Sequence, residues 1–215
     1  MPVFSLLTNA PTFDAFHSAY LVAAYSRPSR EGDVFLCVVD PGVGSERAGL
    51  ALLADGRWYV GPDNGLLAIA AKWSRQAKWW RLPPPPADSS LSFHGRDWFA
   101  PHAARLAQQP TARGWLESAS PAVGDDWPLD LAEIVYLDHY GNALTGLRAA
   151  GLPSHTRLRV AGENVMPAQV FSTVSPGTAF WYENANGLAE IAVNKGNAGQ
   201  SLGLEVGSPV EVLAD

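Results

Sequence analysis

The feature that most constrains the fold is an apolar run that ends in a charged turn. Val34–Val39 is six consecutive apolar residues, a pattern typical of a strand buried on both faces within a parallel sheet. Asp40 follows at once, and a Pro- and Gly-containing turn leads to Arg47. Because open α/β sheets bind ligands at the carboxyl ends of their strands, this acid and base predict a site there. The alternative is a strand-end turn closed by a weak surface ion pair.

The residues around this strand predict an α/β domain over residues 1–125. Helical spacing predicts a helix that follows Thr12 as its N-cap and buries Phe13, Phe16 and Tyr20. Further helices are predicted from Leu66 and from Trp98. We expect a Rossmann-like unit, with a mostly parallel sheet and flanking helices.

Two loops in this domain contain candidate functional side chains. Asp63 and Asn64 lie in the Gly61–Gly65 turn, where one of them is predicted either to cap the following helix or to support the Asp40 turn. His94 lies just ahead of the helix predicted from Trp98, with Asp97 as its expected N-cap. The alternative for His94 is a loop histidine satisfied by backbone groups.

The pattern changes after a Ser-, Ala-, Pro-, Gly- and Asp-rich segment at 117–128. Beyond it apolar residues recur with a period of two in short segments separated by tight turns, which predicts antiparallel strands. We therefore expect a smaller all-β, barrel-like C-terminal domain over residues 126–215.

Composition limits the classes of partner. A formal charge of −6 and a pI near 5.3 argue against nucleic acid. We expect no membrane span, no signal peptide and a cytoplasmic protein. The single cysteine, Cys37, lies in the predicted strand, where packing is the favoured role.

Five motifs together resemble a known family. They are, in order, Asp40–Arg47, Gly61–Gly65, Phe93–Asp97 with Phe99–Pro101 and Ala103–Ala104, Asp138–Asn142, and Ala192–Asn194 with Asn197–Ala198. The chain resembles the S-adenosyl-L-methionine hydroxide adenosyltransferases, relatives of the fluorinase and chlorinase. This resemblance implies an enzyme that converts S-adenosylmethionine and water to adenosine and methionine without a cofactor. It also implies a homotrimer that binds this small molecule between neighbouring subunits.

The resemblance assigns roles to individual residues. It implies a catalytic triad of Asp40, Arg47 and His94, in which Arg47 favours hydroxide and His94 is the candidate proton acceptor. It further implies that Asp138 holds the methionine amino group and that Asn142 meets the adenine. The turn with Asn184 and Asn186 is expected to face the methionine carboxylate, although Ala185 stands where the family usually has Ser, which weakens or replaces that contact.

Departures from the family pattern leave other hypotheses open. The first strand–helix unit, with the Asp expected to bind the ribose, is predicted to be absent from this sequence. That favours, as an alternative, a non-catalytic or impaired protein that binds adenosine or S-adenosylmethionine. A halogenase is a less favoured alternative, and so is a metal site formed by Asp40, His94 and Asp97.

Overall fold

The computed structural model describes residues 2–111 and 113–213. The chain forms two compact units, Met1–Leu129 and Asp130–Asp215. The first is a mixed sheet with flanking helices, and the second is a nearly closed, barrel-like sheet.

Among its described residues, the first unit contains three α-helices, one π-helical turn and five strands. In chain order they are α1 (Ala15–Ser26), β1 (Val34–Leu36), β2 (Gly49–Ala54), β3 (Arg57–Pro62), α2 (Ala68–Trp73), β4 (Ala77–Arg81), the π-helix (Gly95–Phe99), α3 (Ala100–Gln108) and β5 (Glu117–Ser118).

The sheet of this unit is mixed rather than mostly parallel. Its order is β1-β3-β2-β4-β5, and β1–β3 is the one parallel pair among the four pairings. The tight turn at Asp55-Gly56 makes β2 and β3 a hairpin, which forces antiparallel pairing. The prediction of an α/β unit is confirmed, whereas its Rossmann-like, parallel character is confirmed only at β1.

β1 is also less buried than its composition suggested. It spans three residues at the edge of the sheet, and Leu36 and Val38 are 48% and 46% exposed. The prediction of a strand buried on both faces was therefore wrong for these positions. An edge strand has only one neighbour to cover it.

Helices lie on both faces of the sheet. Trp58 and Val60 of β3 pack in one cluster with Phe99 and Leu106 from the π-helix and α3. Tyr59 points to the opposite face, where its hydroxyl donates to Ser26 Oγ of α1 at 2.9 Å.

The beginning of α1 differs from the prediction. Asp14, not Thr12, is the N-cap and accepts from the backbone N–H of His17 at 3.0 Å. Phe13 is 79% exposed with φ at +61°, so it lies outside the helix instead of in the core.

Besides two 3₁₀ turns, the described part of the second unit contains seven strands and one short α-helix. They are β6 (Leu131–Leu137), β7 (Ala143–Arg148), β8 (Arg157–Val160), β9 (Glu163–Pro167), β10 (Ala179–Glu183), β11 (Leu188–Val193), α4 (Ala198–Leu202) and β12 (Val210–Leu213).

These strands form one sheet in the order β12-β8-β9-β10-β11-β7-β6. A bridge between Glu133 and Pro209 joins the two ends of the order, so that the sheet nearly closes. All pairings are antiparallel, as predicted, except β9–β10, which is parallel. Ile134, Leu158, Ile191 and Val210 are among the buried residues at its centre.

No helix within the described ranges is long and apolar enough to cross a membrane.

Candidate active site

The turn after β1 is held by backbone and side-chain hydrogen bonds. Cys37 N–H donates to the carbonyl of Val60 at 2.9 Å, which extends the parallel pairing beyond β1. Asn64 Nδ2 donates to the carbonyl of Val39 at 2.9 Å. The residue before Asp40 is thus tied to the neighbouring β3 loop, and Asp40 begins the turn from a fixed position.

Asp40 and Arg47 form a buried ion pair. Arg47 Nε donates to Asp40 Oδ1 at 2.8 Å, and Nη2 donates to Oδ2. The Arg47 and Asp40 side chains are only 10% and 6% exposed, so the alternative of a solvated surface pair was wrong. The two parallel bonds fix the plane of the guanidinium as well as its position.

His94 joins this pair through its ring nitrogen. Its Nδ1 lies 3.0 Å from Arg47 Nη2. A guanidinium only donates hydrogen bonds, so Nδ1 is the acceptor and the ring proton of a neutral His94 is on Nε2. His94 is 6% exposed, and its bond to a side chain excludes the alternative of a histidine satisfied by backbone alone.

Two aromatic rings complete the surroundings of Arg47. The guanidinium carbon lies 5.5 Å from the Trp98 ring centre and 5.0 Å from that of Phe99, where ring faces attract cations. A Cβ at Gly49 would lie 2.8 Å from the Trp98 ring, so glycine there allows the close approach. Sequence reasoning missed both aromatics as site residues. Their positions four and five residues after His94 were the available signal.

Asn64 supports the turn, and neither Asp63 nor Asn64 caps a helix. α2 begins at Ala68, and its N-cap Leu67 has no side-chain cap bond. The prediction of a capping Asp or Asn was wrong because these side chains have other partners. Asn64 Oδ1 accepts from Leu66 N–H at 3.2 Å, and Asp63 Oδ1 accepts from Ala122 N–H at 3.0 Å. Burial raises the pKa of Asp63.

Asp97 also has hydrogen-bond partners other than a helix N-terminus. It pairs with Arg96, with Nε to Oδ1 at 2.6 Å, and accepts from Ser90 N–H at 3.0 Å. It is not the N-cap that was predicted, since the helical turn begins earlier, at Gly95 with His94 as N-cap. Among the residues that the structure describes, no three His, Cys, Asp or Glu side chains are grouped as metal ligands.

The second unit positions Asp138 and Asn142 in one tight turn. Asp138 Oδ1 accepts from the backbone N–H groups of Tyr140 and Asn142, both at 2.8 Å. Its Oδ2 accepts from Asn142 Nδ2 at 3.0 Å. Gly141, at φ +85°, supplies the left-handed backbone that this turn needs. The two residues form one preorganised group.

The Asn184–Gly187 turn is organised by the side chain of Asn184. Its Oδ1 accepts from Asn186 N–H at 2.9 Å and from Leu188 N–H at 3.0 Å. Its Nδ2 donates to Glu190 Oε2 at 2.8 Å. Sequence reasoning did not single out Glu190, since its surroundings depend on cross-strand pairing.

Comparison with known proteins identifies the family of this chain. The N-terminal domain model of the SAM hydroxide adenosyltransferases matches residues 1–114, and the C-terminal domain model matches residues 132–211. The (R)-S-adenosyl-L-methionine hydrolase of Thermus thermophilus is 37% identical over 227 residues, covering 98% of this chain and 88% of the relative. The enzyme of the same name from Salinispora tropica is 36% identical over 215 residues, covering 90% and 79%.

Solved structures agree with the fold. A conserved hypothetical protein from Thermus thermophilus superposes with a TM-score of 0.75 at 36% identity, covering 94% of this chain and 83% of that one. An uncharacterised conserved protein from Thermotoga maritima superposes with a TM-score of 0.87 at 24% identity, covering 100% and 89%. The chain therefore belongs to the SAM hydroxide adenosyltransferase family.

Proposed function

We propose that this protein hydrolyses S-adenosyl-L-methionine, its small-molecule substrate, to adenosine and L-methionine. The observation that supports this most directly is the buried Asp40–Arg47 pair with His94 accepting from the same guanidinium. The relatives named (R)-S-adenosyl-L-methionine hydrolase match most of this chain and support the same activity.

The reaction is an in-line displacement at the ribose C5′. The oxygen of water forms a bond to C5′ while the C5′–S bond breaks, and the electron pair of that bond stays on sulfur as the neutral thioether of methionine. The water loses one proton, which passes to bulk solvent. Because the leaving group departs from a sulfonium, it needs no protonation, and the enzyme has only to orient and activate the nucleophile.

Arg47 supplies the activation in this proposal. A fixed cation beside the water stabilises the hydroxide character that develops as the water attacks. Arg47 cannot act as the base, since it stays protonated. Asp40 holds it in register and keeps lone pairs that can accept a hydrogen bond from the water.

We propose a role for His94 that differs from the one expected from the sequence. A neutral imidazole that accepts at Nδ1 from Arg47 has its basic nitrogen occupied and its other nitrogen protonated. We therefore assign His94 to holding Arg47 and to donating from Nε2, and not to accepting the proton from the attacking water.

The substrate contacts that we propose for the second unit are taken from the family pattern. Asp138 is proposed to bind the methionine ammonium, because its two oxygens accept bonds from within its own turn and a carboxylate has capacity for a further donor. Asn142 is proposed to meet the adenine. The turn with Asn184 and Asn186 is proposed to face the methionine carboxylate through backbone N–H groups, since Ala185 offers no hydroxyl.

The assembly and conditions of action are also part of the proposal. We propose a homotrimer that binds substrate between neighbouring subunits, works in the cytoplasm and needs no added cofactor. Light scattering of the purified protein measures the mass directly, and a monomeric mass under assay conditions would contradict the trimer.

Incubation with S-adenosyl-L-methionine tests the activity. Chromatography is expected to show adenosine and methionine in equal amounts from the wild-type protein, without added metal and unchanged by a chelator. Arg47→Ala should abolish release. Binding of S-adenosyl-L-methionine without turnover by the wild-type protein would favour a binding protein instead. A halogenated adenosine formed with added chloride or fluoride would favour a halogenase.

A further inference from the structure

Glu190 is a buried acid that the proposed mechanism does not use. It lies in β11 and is 5% exposed. Its neighbours Ala189 and Ile191 pack in the core of the second unit. Because side chains alternate along a strand, Glu190 points to the other face of the sheet. On that face its carboxylate lies beside the side chains of the neighbouring strand, β10.

Two side chains meet its carboxylate from β10 and the following turn. Tyr182, its direct cross-strand neighbour, donates its hydroxyl to Oε1 at 2.5 Å. Asn184 donates Nδ2 to Oε2 at 2.8 Å. Each carboxylate oxygen therefore has its own donor, and the bond to Oε2 fixes which way the Asn184 amide faces.

The orientation of Asn184 determines the turn that follows. With Nδ2 bound to Glu190, Oδ1 points at the backbone N–H groups of Asn186 and Leu188. A flipped amide would place two donors against two donors. Glu190 thus supports the shape of Asn184–Gly187 without belonging to the turn.

Supporting the turn with a buried carboxylate carries a desolvation cost. Burial raises the pKa of Glu190, and the negative charge of Asp138 raises it further, against the opposing effect of its hydrogen bonds. An apolar side chain at this position would avoid the desolvation cost. The presence of a carboxylate at this position is therefore better explained by the need to orient Asn184 than by a contribution to stability.

We infer that Glu190 is a positioning residue that holds the Asn184–Gly187 turn in the shape needed to bind the methionine part of the substrate. The inference rests on the proposed function, since that function assigns the turn to methionine. It predicts that Glu190 affects affinity for the methionine part and leaves the adenosine part unaffected.

The test is calorimetric titration of the full-length protein with L-methionine and, separately, with adenosine. Glu190→Ala should weaken methionine binding by roughly tenfold, which corresponds to about one charge-assisted hydrogen bond, and leave adenosine affinity unchanged. Glu190→Gln keeps an acceptor for Asn184 Nδ2 and should restore most of the methionine affinity. The KM for S-adenosylmethionine should rise in Glu190→Ala more than kcat falls.

A matched control is Glu211→Ala. Glu211 lies in β12 of the same unit and its side chain is 64% exposed, with Arg159 as its partner, so its removal should change neither affinity. Thermal melts identify any variant that fails to fold. If Glu190→Ala fails to fold, Glu190→Leu, which fills the same space without an acceptor, takes its place and should show the same selective loss of methionine affinity.

Three results from the variants would overturn the inference. They are an equal loss of methionine and adenosine affinity in Glu190→Ala, no loss of either, or a Glu190→Gln variant as weak as Glu190→Ala. Absence of methionine binding to the wild-type protein would also overturn it. Failure of the wild-type protein to release methionine from S-adenosylmethionine is a separate result, which contradicts the proposed function and is measured by product release.

Discussion

Replacing Arg47 by Met tests the role of the buried pair. Met has a similar length but no charge and no donor, so Asp40 loses both guanidinium bonds while its side chain, only 6% exposed, stays out of reach of water. Breaking a buried pair in this way costs about 3–5 kcal/mol of unfolding free energy. At roughly 2–4 °C per kcal/mol for a chain of this size, the melting temperature should fall by about 6–20 °C.

Activity should fall for a separate reason. Losing one preorganised group that stabilises developing negative charge typically lowers kcat by about 10²–10³-fold. The double variant Asp40→Leu/Arg47→Met distinguishes the two effects, because replacing both members of a buried pair by apolar groups is often neutral for stability. It should regain most of the lost melting temperature and remain inactive.

Arg148→Met is the matched control for burial. Arg148 makes an equally bidentate pair with Asp130 in the other unit, but these side chains are 34% and 36% exposed. Pairs of this exposure contribute about 0–1 kcal/mol. Thermal melts and product release by chromatography measure both quantities. Two results would contradict this prediction: a melting temperature of Arg47→Met equal to that of Arg148→Met, or a double variant that regains activity along with stability.

Three further predictions concern the surroundings of this pair. A Cβ at Gly61 would lie 2.5 Å from the carbonyl oxygen of Cys37, so Gly61→Ala should cost about 1–3 kcal/mol in a chemical denaturation curve, whereas Gly151→Ala, with open space around it, should cost nothing. His94→Asn can place an acceptor near the Nδ1 position and should keep roughly tenfold more activity than His94→Gln, about one hydrogen bond; equal loss in both would contradict the Nδ1 assignment. Burial raises the pKa of Cys37 from 9.0 to about 12, so the folded state holds its thiol proton more tightly than the unfolded state. Its contribution to stability is complete below pH 9.0 and is lost as pH rises towards about 12, a loss that denaturation curves of Cys37→Ala should not show. Reaction of native Cys37 with iodoacetamide as fast as in denaturant would contradict this burial.

Local patterns in the sequence were sufficient for part of this molecule. The period-two segments after residue 130 predicted the antiparallel strands of the second unit, because one buried and one exposed face leave that alternation in any sequence. The Asp138–Asn142 segment was identified in the sequence only as part of the family resemblance, and the structure shows it as a turn whose hydrogen bonds join residues two and four apart. Motif order along the chain was enough to indicate the family.

Local sequence patterns did not predict which distant strands pair in the first sheet. The run at 34–39 has the composition of an inner strand, yet β1 lies at the edge, because strand order depends on how distant hairpins pair. An Asp-Gly pair between two apolar stretches favours a hairpin, and the expectation of a mostly parallel sheet did not take into account the antiparallel pairing that Asp55-Gly56 produces.

The Asp40–Arg47 turn was also predicted only in part from the sequence. Its acid and base, seven positions apart, were evident in the sequence, and so was a site at the end of a strand. Only the tertiary structure decided that the pair is buried and that His94 from 47 positions away accepts from it at Nδ1. It also placed the Glu190 carboxylate, six residues along the same hairpin, against Asn184. Burial and hydrogen-bond direction depend on which distant groups meet, and the spacing of residues along a chain does not record that.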